Sequence, residues 1–187
     1  MLYLIRHGQT EKNRQHLLLG RSDVPLNETG IGEAKAAAAR LKNVRFDRVF
    51  SSPLLRARQT AEILAPDIPA EIDERLIEMD YGPYEGADLT QLPPEILYFF
   101  SDFAHNSAPE GMEQLSSVVG RVGAFLEEIR ALEGNILLSV HAISMKGALE
   151  YLTPDANGSY WSKNIGNCAV YTVRNGHGRL DVPEEML

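Results

Sequence analysis

The sequence is poor in cysteine, in aromatic residues, in positive charge and in long apolar runs. Its 187 residues include one cysteine, Cys168, which can close no internal disulfide and offers no thiolate cluster for zinc or iron–sulfur binding. No apolar run approaches the roughly 18 residues that cross a bilayer. The start, MLYLIRHG, lacks the basic stretch and long apolar core of a secretion signal. The expectation is a cytoplasmic protein with no membrane partner. The 18 Lys and Arg stand against 26 Asp and Glu, a formal net charge of −8, which opposes binding to a long nucleic-acid backbone. A small anion is still compatible, because a few arginines focused in one cleft set the local field whatever the net charge. The length fits a single domain over 1–187, large enough to bury roughly 70% of the surface its unfolded chain exposes.

Strand-length apolar runs alternate with helical patterns. This predicts an α/β fold: a mostly parallel central sheet flanked by helices on both faces. Strands are expected at 2–6, 47–51, 70–72, 135–140 and 168–173. The fourth, NILLSV, is so evenly apolar that it belongs at the centre of the sheet. Helices are expected at 27–42, capped by Asn27 or Thr29; at 53–65, with Ser52 as cap and Pro53 at the first helical position; at 113–132; and at 141–152. Asn175-Gly176 reads as a hairpin turn into a short return strand near 179–182. Between Met79 and Val140 the only Lys or Arg residues are Arg121 and Arg130. In that stretch Pro93-Pro94 and the group Tyr98, Phe99, Phe100 and Phe103 suggest a small helical cap inserted at about 79–112.

Arg6-His7-Gly8-Gln9-Thr10, with Asn13 soon after, closes the first strand. Ligands of open α/β sheets bind beyond the carboxyl ends of the strands, so Arg6 and His7 project into the expected cleft, and Gly8 lets the backbone pass close to a ligand. A histidine with an ordinary pKa near 6.5 is largely neutral at pH 7 and can attack phosphorus. An adjacent guanidinium favours that neutral form and clamps a phosphoryl group by paired hydrogen bonds. From this pentapeptide alone, a plain surface strand end is equally open. Arg56 falls on the first turn of the helix after the second strand, on the same side as His7, where a helix N-terminus attracts anions. Arg58, two residues on, is assigned to the surface. The fourth strand delivers His141 to the same edge, so two histidines and two arginines from three strand ends converge.

Three further blocks follow the same order. They are Gly20-Arg21-Ser22-Asp23-Val24-Pro25-Leu26 leading to Gly30, Glu74-Arg75-Leu76-Ile77-Glu78, and Tyr81-Gly82-Pro83-Tyr84-Glu85-Gly86. Together the blocks resemble the histidine phosphatase superfamily, the phosphoglycerate-mutase-like fold, from residue 1 to about 173. The resemblance implies that His7 is the nucleophile and becomes a phosphohistidine. It implies that Arg6, Arg56 and His141 surround the phosphoryl oxygens, with Asn13 as a further donor. Glu78 would protonate the leaving oxygen and then activate water. No metal or cofactor is implied, because fixed cations neutralise the transition state.

Where the family often has a glycine pair after the late histidine, this chain has Ala142-Ile143. The Ala142 N–H is still expected to face the phosphate, and Ile143 to narrow the pocket. Glu113 is read as favouring a helix N-terminus, and His16, His105 and His177 as surface residues, with His105 within reach of the cleft. Arg21 and Ser22 are candidate substrate contacts, and Arg21 and Lys146 candidate contacts for a second anion. Few cations surround the mouth, so hydrolysis of small phosphomonoesters is expected. A phosphoglycerate mutase or sugar bisphosphatase is the alternative. An inactive binder of phosphorylated ligands is a third reading, disfavoured because binding alone needs no proton donor. The aromatics Tyr81, Tyr84, Tyr98, Phe99, Phe100 and Phe103 fit either a surface for the leaving group or ordinary core packing.

Overall fold

Alternation along β1 (Leu2–Arg6) sends Leu2 and Leu4 to one face of the sheet and Tyr3 and Ile5 to the other, where each pair is buried in its own core. The computed structural model describes residues 1–176 and 179–186. Its main sheet adds β2 (Arg48–Ser51), β3 (Glu71–Ile72), β4 (Ile136–Val140), β5 (Val170–Val173) and, beyond β6 (Asn175–Gly176) and β7 (Arg179–Leu180), β8 (Glu184–Met186). The order is β3-β2-β4-β1-β5-β8. β1, β4, β2 and β3 run parallel, whereas β5 is antiparallel to β1 and β8 antiparallel to β5. All five residues of β4 are buried, as a central strand covered on both faces requires.

Six helices flank the sheet: α1 (Glu11–Arg14), α2 (Glu28–Arg40), α3 (Leu55–Leu64), α4 (Pro94–Ser101), α5 (Leu115–Ile129) and α6 (Ala142–Leu152). α2 and α3 cover one face through Ala34, Ala37, Ala61 and Leu64. α5 and α6 cover the other through Val118, Val122, Phe125, Leu126, Met145 and Leu149. No described helix is long and apolar enough to cross a membrane.

Several local expectations change. Asn27 does cap α2, its Oδ1 accepting the Gly30 N–H at 2.8 Å. Ser52 is not the N-cap of α3, which begins two residues later behind Leu54; its hydroxyl oxygen accepts the Leu54 N–H at 3.3 Å and meets the His141 ring at 2.7 Å, while the first helical N–H, that of Leu55, donates to Asp23 Oδ1 at 2.6 Å. Asn175 and Gly176 are not the turn but a short strand paired with Arg179–Leu180, and His177 lies outside the described residues. β8, an edge strand with two exposed glutamates, has no apolar alternation to announce it.

The stretch 79–112 contributes to the main core rather than standing apart from it. Ile96 and Phe99 of α4 are wholly buried, and Phe103 stacks on Phe99 with ring centroids 4.6 Å apart. Tyr81 is buried too, while Tyr98 is 65% exposed. Phe99 and Tyr81 are therefore packing residues.

Strand register sets where the site forms. Arg6 pairs with Val140, and Ser51 with Ser139. One residue further on, the His7 N–H donates to the Val140 carbonyl at 2.9 Å and the Ser52 N–H to Ser139 at 3.0 Å. His7, His141 and Ser52 thus leave three neighbouring strands at one level. Gly8 follows at a close backbone crossing: a Cβ there would lie 2.4 Å from the Gly30 carbonyl oxygen, and one on Gly30 would lie 2.1 Å from that of Gln9. The start of α2 by itself requires the glycine at position 8. On the other side of β1, Cys168 adopts φ +53° and donates its N–H to Arg6 at 3.1 Å. Burial pushes its thiol up to about 12.

Candidate active site

His7 and His141 face each other across 5.1 Å between ring centroids, and the Arg56 guanidinium lies against both. The Nδ1 of His7 is 2.7 Å from the Gly8 carbonyl oxygen. A carbonyl can only accept, so Nδ1 carries the proton and Nε2 is left with its lone pair. The Arg56 Nε–H donates to this Nε2 at 3.2 Å and to His141 Nδ1 at 3.2 Å. By the same logic His141 carries its proton on Nε2 and donates it to Ser52 Oγ. Both imidazoles are buried, and burial first, then Arg56, holds each well below the ordinary histidine pKa. The neutral, nucleophilic form is the resting form.

Arg56 is wholly buried, and its other two nitrogens donate to the carbonyls of Ser22 at 2.8 Å and Gly20 at 2.6 Å. Burial brings the guanidinium down to about 10, leaving it charged at neutral pH. Arg6 donates from one terminal nitrogen to the Ile165 carbonyl at 2.5 Å, while its buried Nε has no acceptor. Neither arginine forms an ion pair with a carboxylate among the described residues. Asn13 caps α1 with Thr10: its Oδ1 accepts from the Thr10 N–H and hydroxyl, so Nδ2 is the end left to donate. The Ala142 N–H, at the first position of α6, has no intrahelical acceptor.

Glu78 sits beside that helix start, 3% exposed. Its Oε2 accepts the Ile143 N–H at 3.1 Å, and its Oε1 accepts those of Ser144 at 3.1 Å and Met79 at 2.8 Å. The donors of α6 are divided between the carboxylate and whatever meets Ala142. The Ile143 side chain is buried in the core cluster.

The remaining expected contacts are committed elsewhere. Arg21 turns to Asp80 at 3.2 Å and Glu113 at 3.4 Å, so two carboxylates already share its charge. Ser22 contributes its carbonyl to Arg56, and its hydroxyl accepts from Lys12 at 2.9 Å. Lys146 is partly buried, donates to the Trp161 carbonyl at 2.7 Å and stands over the Phe103 ring. His16 and His105 are exposed, the latter paired with Asp102. Arg58 is exposed as assigned.

Sequence reasoning missed the parts that hold the pocket. Gly20, Ser22 and Ile165 act through main-chain carbonyls, which carry no side-chain signature. Glu85 accepts the N–H groups of Gly20 at 2.9 Å and Ser22 at 3.3 Å, pinning the loop that grips Arg56. Glu113 does not serve a helix start. Burial alone would raise its carboxyl, but the Arg121 guanidinium more than offsets this, at 2.8 Å, and holds it below the usual range. Among the described residues, no group of three or more His, Cys, Asp or Glu converges as metal ligands would.

Comparison with known proteins places the chain in a family. Residues 2–184 match the histidine phosphatase superfamily (branch 1). The chain is 36% identical over 169 residues to a 2,3-bisphosphoglycerate-dependent phosphoglycerate mutase of Methylobacterium sp. (strain 4-46), covering 81% of this chain and 80% of the relative. It is 35% identical over 147 residues to the adenosylcobalamin/alpha-ribazole phosphatase of Salmonella typhimurium, covering 75% and 73%. Among solved structures, a phosphoserine phosphatase mutant from Entamoeba histolytica in complex with phosphoserine superposes with a TM-score of 0.84 at 26% identity, over 100% of this chain and 94% of that one. The chain belongs to the histidine phosphatase superfamily (branch 1).

Proposed function

We propose that the protein hydrolyses small phosphomonoesters through a phosphohistidine on His7, with no metal ion in the reaction. One observation carries this reading: the wholly buried Arg56 and the half-buried Arg6 flank two neutral imidazoles, neither arginine is in an ion pair with a carboxylate among the described residues, and the Arg6 Nε–H is itself buried without an acceptor. Guanidinium charge held in no ion pair, with a buried spare donor, is costly unless an anion completes it. A phosphoryl group has the charge and the oxygens to do so.

In the first step the His7 Nε2 lone pair forms the N–P bond while the P–O bond to the leaving group breaks. That bond's electron pair stays on the leaving oxygen, which takes a proton from Glu78. In the second, a water oxygen attacks phosphorus, Glu78 accepts the water's proton, and the N–P electron pair returns to Nε2. Arg6, Arg56, the Asn13 amide and the Ala142 N–H stabilise the charge spread over the phosphoryl oxygens in both transition states, and His141 joins them when its Nε2–H leaves Ser52 for a phosphoryl oxygen.

Hydrolysis is favoured over mutase chemistry by the state of the cations at the mouth. Arg21 and Arg121 are matched by Asp80 and Glu113, Lys12 is bonded to Ser22 and stands 4.0 Å from Glu85, and Lys146 donates to the Trp161 carbonyl, so each of these cations already has a partner. We take 1–187 as one domain and the stretch 79–112 as its cap, the part that meets the leaving group. The alpha-ribazole phosphatase and phosphoserine phosphatase relatives make aryl, nucleoside-like and amino-acid phosphates the first substrates to try. The test is a panel of such phosphomonoesters in EDTA, alongside 3-phosphoglycerate with and without 2,3-bisphosphoglycerate. Release of inorganic phosphate is expected. Rapid interconversion of 3- and 2-phosphoglycerate without phosphate release would establish the mutase instead, and activity lost in EDTA and restored by a divalent ion would end the metal-free scheme.

A further inference from the structure

The segment carrying Glu78 is gripped on both sides by an ion pair from outside it. Arg121, on α5, donates from NH1 to the carbonyls of Arg75 at 2.8 Å and Ile77 at 2.6 Å. Its Nε and NH2 form a fork on Glu113 at 2.8 and 3.1 Å. Glu113 in turn accepts the Asp80 N–H at 3.2 Å, and its own N–H donates to the Asp80 carbonyl at 2.8 Å. The chain is therefore held by its carbonyls up to the residue before Glu78 and by its amide two residues after it. Arg21 adds a contact to the Glu78 carbonyl itself at 3.4 Å.

These contacts reach only main-chain atoms of the 75–80 segment and the acidic side chains beside it. The phosphate pocket rests on other supports: β1 and β4 for the histidines, and Glu85 with the 20–22 loop for Arg56. Two residues with side-chain exposures of only 15% and 9% are an expensive way to hold a surface turn. They are largely shielded charges whose geometry must be satisfied together, which restricts the turn they bind to one position.

We propose that Arg121 and Glu113 are positioning residues for the proton donor, setting the reach of the Glu78 carboxyl toward the leaving oxygen without touching substrate. This rests on the reading of Glu78 as general acid. Donor placement matters in proportion to how badly the leaving group needs a proton. A shift of about 1 Å can cost on the order of 100-fold in rate.

The experiment compares Arg121→Lys, Arg121→Met and Glu113→Gln with the unaltered protein on two substrates. One is an activated aryl phosphate, which leaves well unprotonated; the other is an alkyl phosphate, which does not. The expected result is a roughly 10- to 100-fold fall in kcat for the alkyl ester, a fall of less than about threefold for the aryl ester, and unchanged inhibition by vanadate. Arg121→Lys should recover part of the loss seen in Arg121→Met. Equal losses on both esters, or no loss on either, would overturn the proposal. Should Arg121→Met fail to fold, the near-isosteric Glu113→Gln reads the same selectivity. Glu78→Gln is run beside them: if it too shows no preference for the aryl ester, the assignment of the acid itself fails. If it shows that preference and the clamp variants do not, only the positioning role fails.

Discussion

Arg56 places its Nε–H 3.2 Å from the Nε2 of His7, so the nitrogen that attacks phosphorus rests against a guanidinium rather than against water. The contact occupies the Nε2 lone pair at rest, and it must open as the phosphoryl group arrives so that the lone pair can reach phosphorus. A lysine could supply the charge, but it could not also hold the carbonyls of Gly20 and Ser22 in one plane. Arg56→Lys is expected to lower kcat/KM for an aryl phosphate by about 100- to 1,000-fold and to weaken vanadate inhibition. A change of less than tenfold would show that charge alone suffices.

His7 should carry the phosphoryl group. Brief mixing with a labelled substrate followed by denaturation in alkali is expected to trap an acid-labile phosphoenzyme, absent from His7→Ala. The same variant should lose at least about 1,000-fold in kcat. A labelled adduct persisting in His7→Ala would move the nucleophile elsewhere.

The two depressed histidines make stability depend on pH. Burial, reinforced by Arg56, keeps both neutral in the fold well below the value of 6.5 they regain when unfolded. As pH falls through that value the unfolded chain binds protons that the native state refuses. Stability is therefore retained above about pH 6.5 and declines below it, by at most about 1.4 kcal/mol per pH unit for each histidine. His141→Gln should flatten the pH dependence of the urea-unfolding free energy between pH 6 and 5 by about 1 kcal/mol. An unchanged slope would mean that His141 is protonated in the native protein.

Gly8→Ala would drive a methyl group into the Gly30 carbonyl, which is backbone and cannot swing aside. A loss of about 1–3 kcal/mol in stability is expected, and because His7 is the adjacent residue, activity should fall further than stability alone accounts for. Chemical denaturation and kcat measured on the same preparation separate the two effects.

The sheet and the convergent histidines and arginines were legible because each rests on a short-range signal: alternation in LYLIR, an unbroken apolar run in NILLSV, and residue types placed where those strands end. What was not legible depended on distant chain. Ser52 looks like a helix cap until Asp23, distant in sequence, takes the first helical N–H and His141 meets the Ser52 hydroxyl. Arg21 reads as a free cation until the fold brings Asp80 and Glu113 against it. β8 was missed because its residues follow no two-residue alternation, and an edge strand need not.

Cys168 offers a built-in reporter. It is the only thiol in the chain, it lies 3% exposed and its ionisation is suppressed, so alkylating reagents and mild oxidants have nothing to react with while the backbone there stays bonded to Arg6. Each labelling event must then wait for that seam to part. The rate of Cys168 modification would time the opening of the very strand end that carries the nucleophile, and a bound phosphate analogue that closes the seam should slow it.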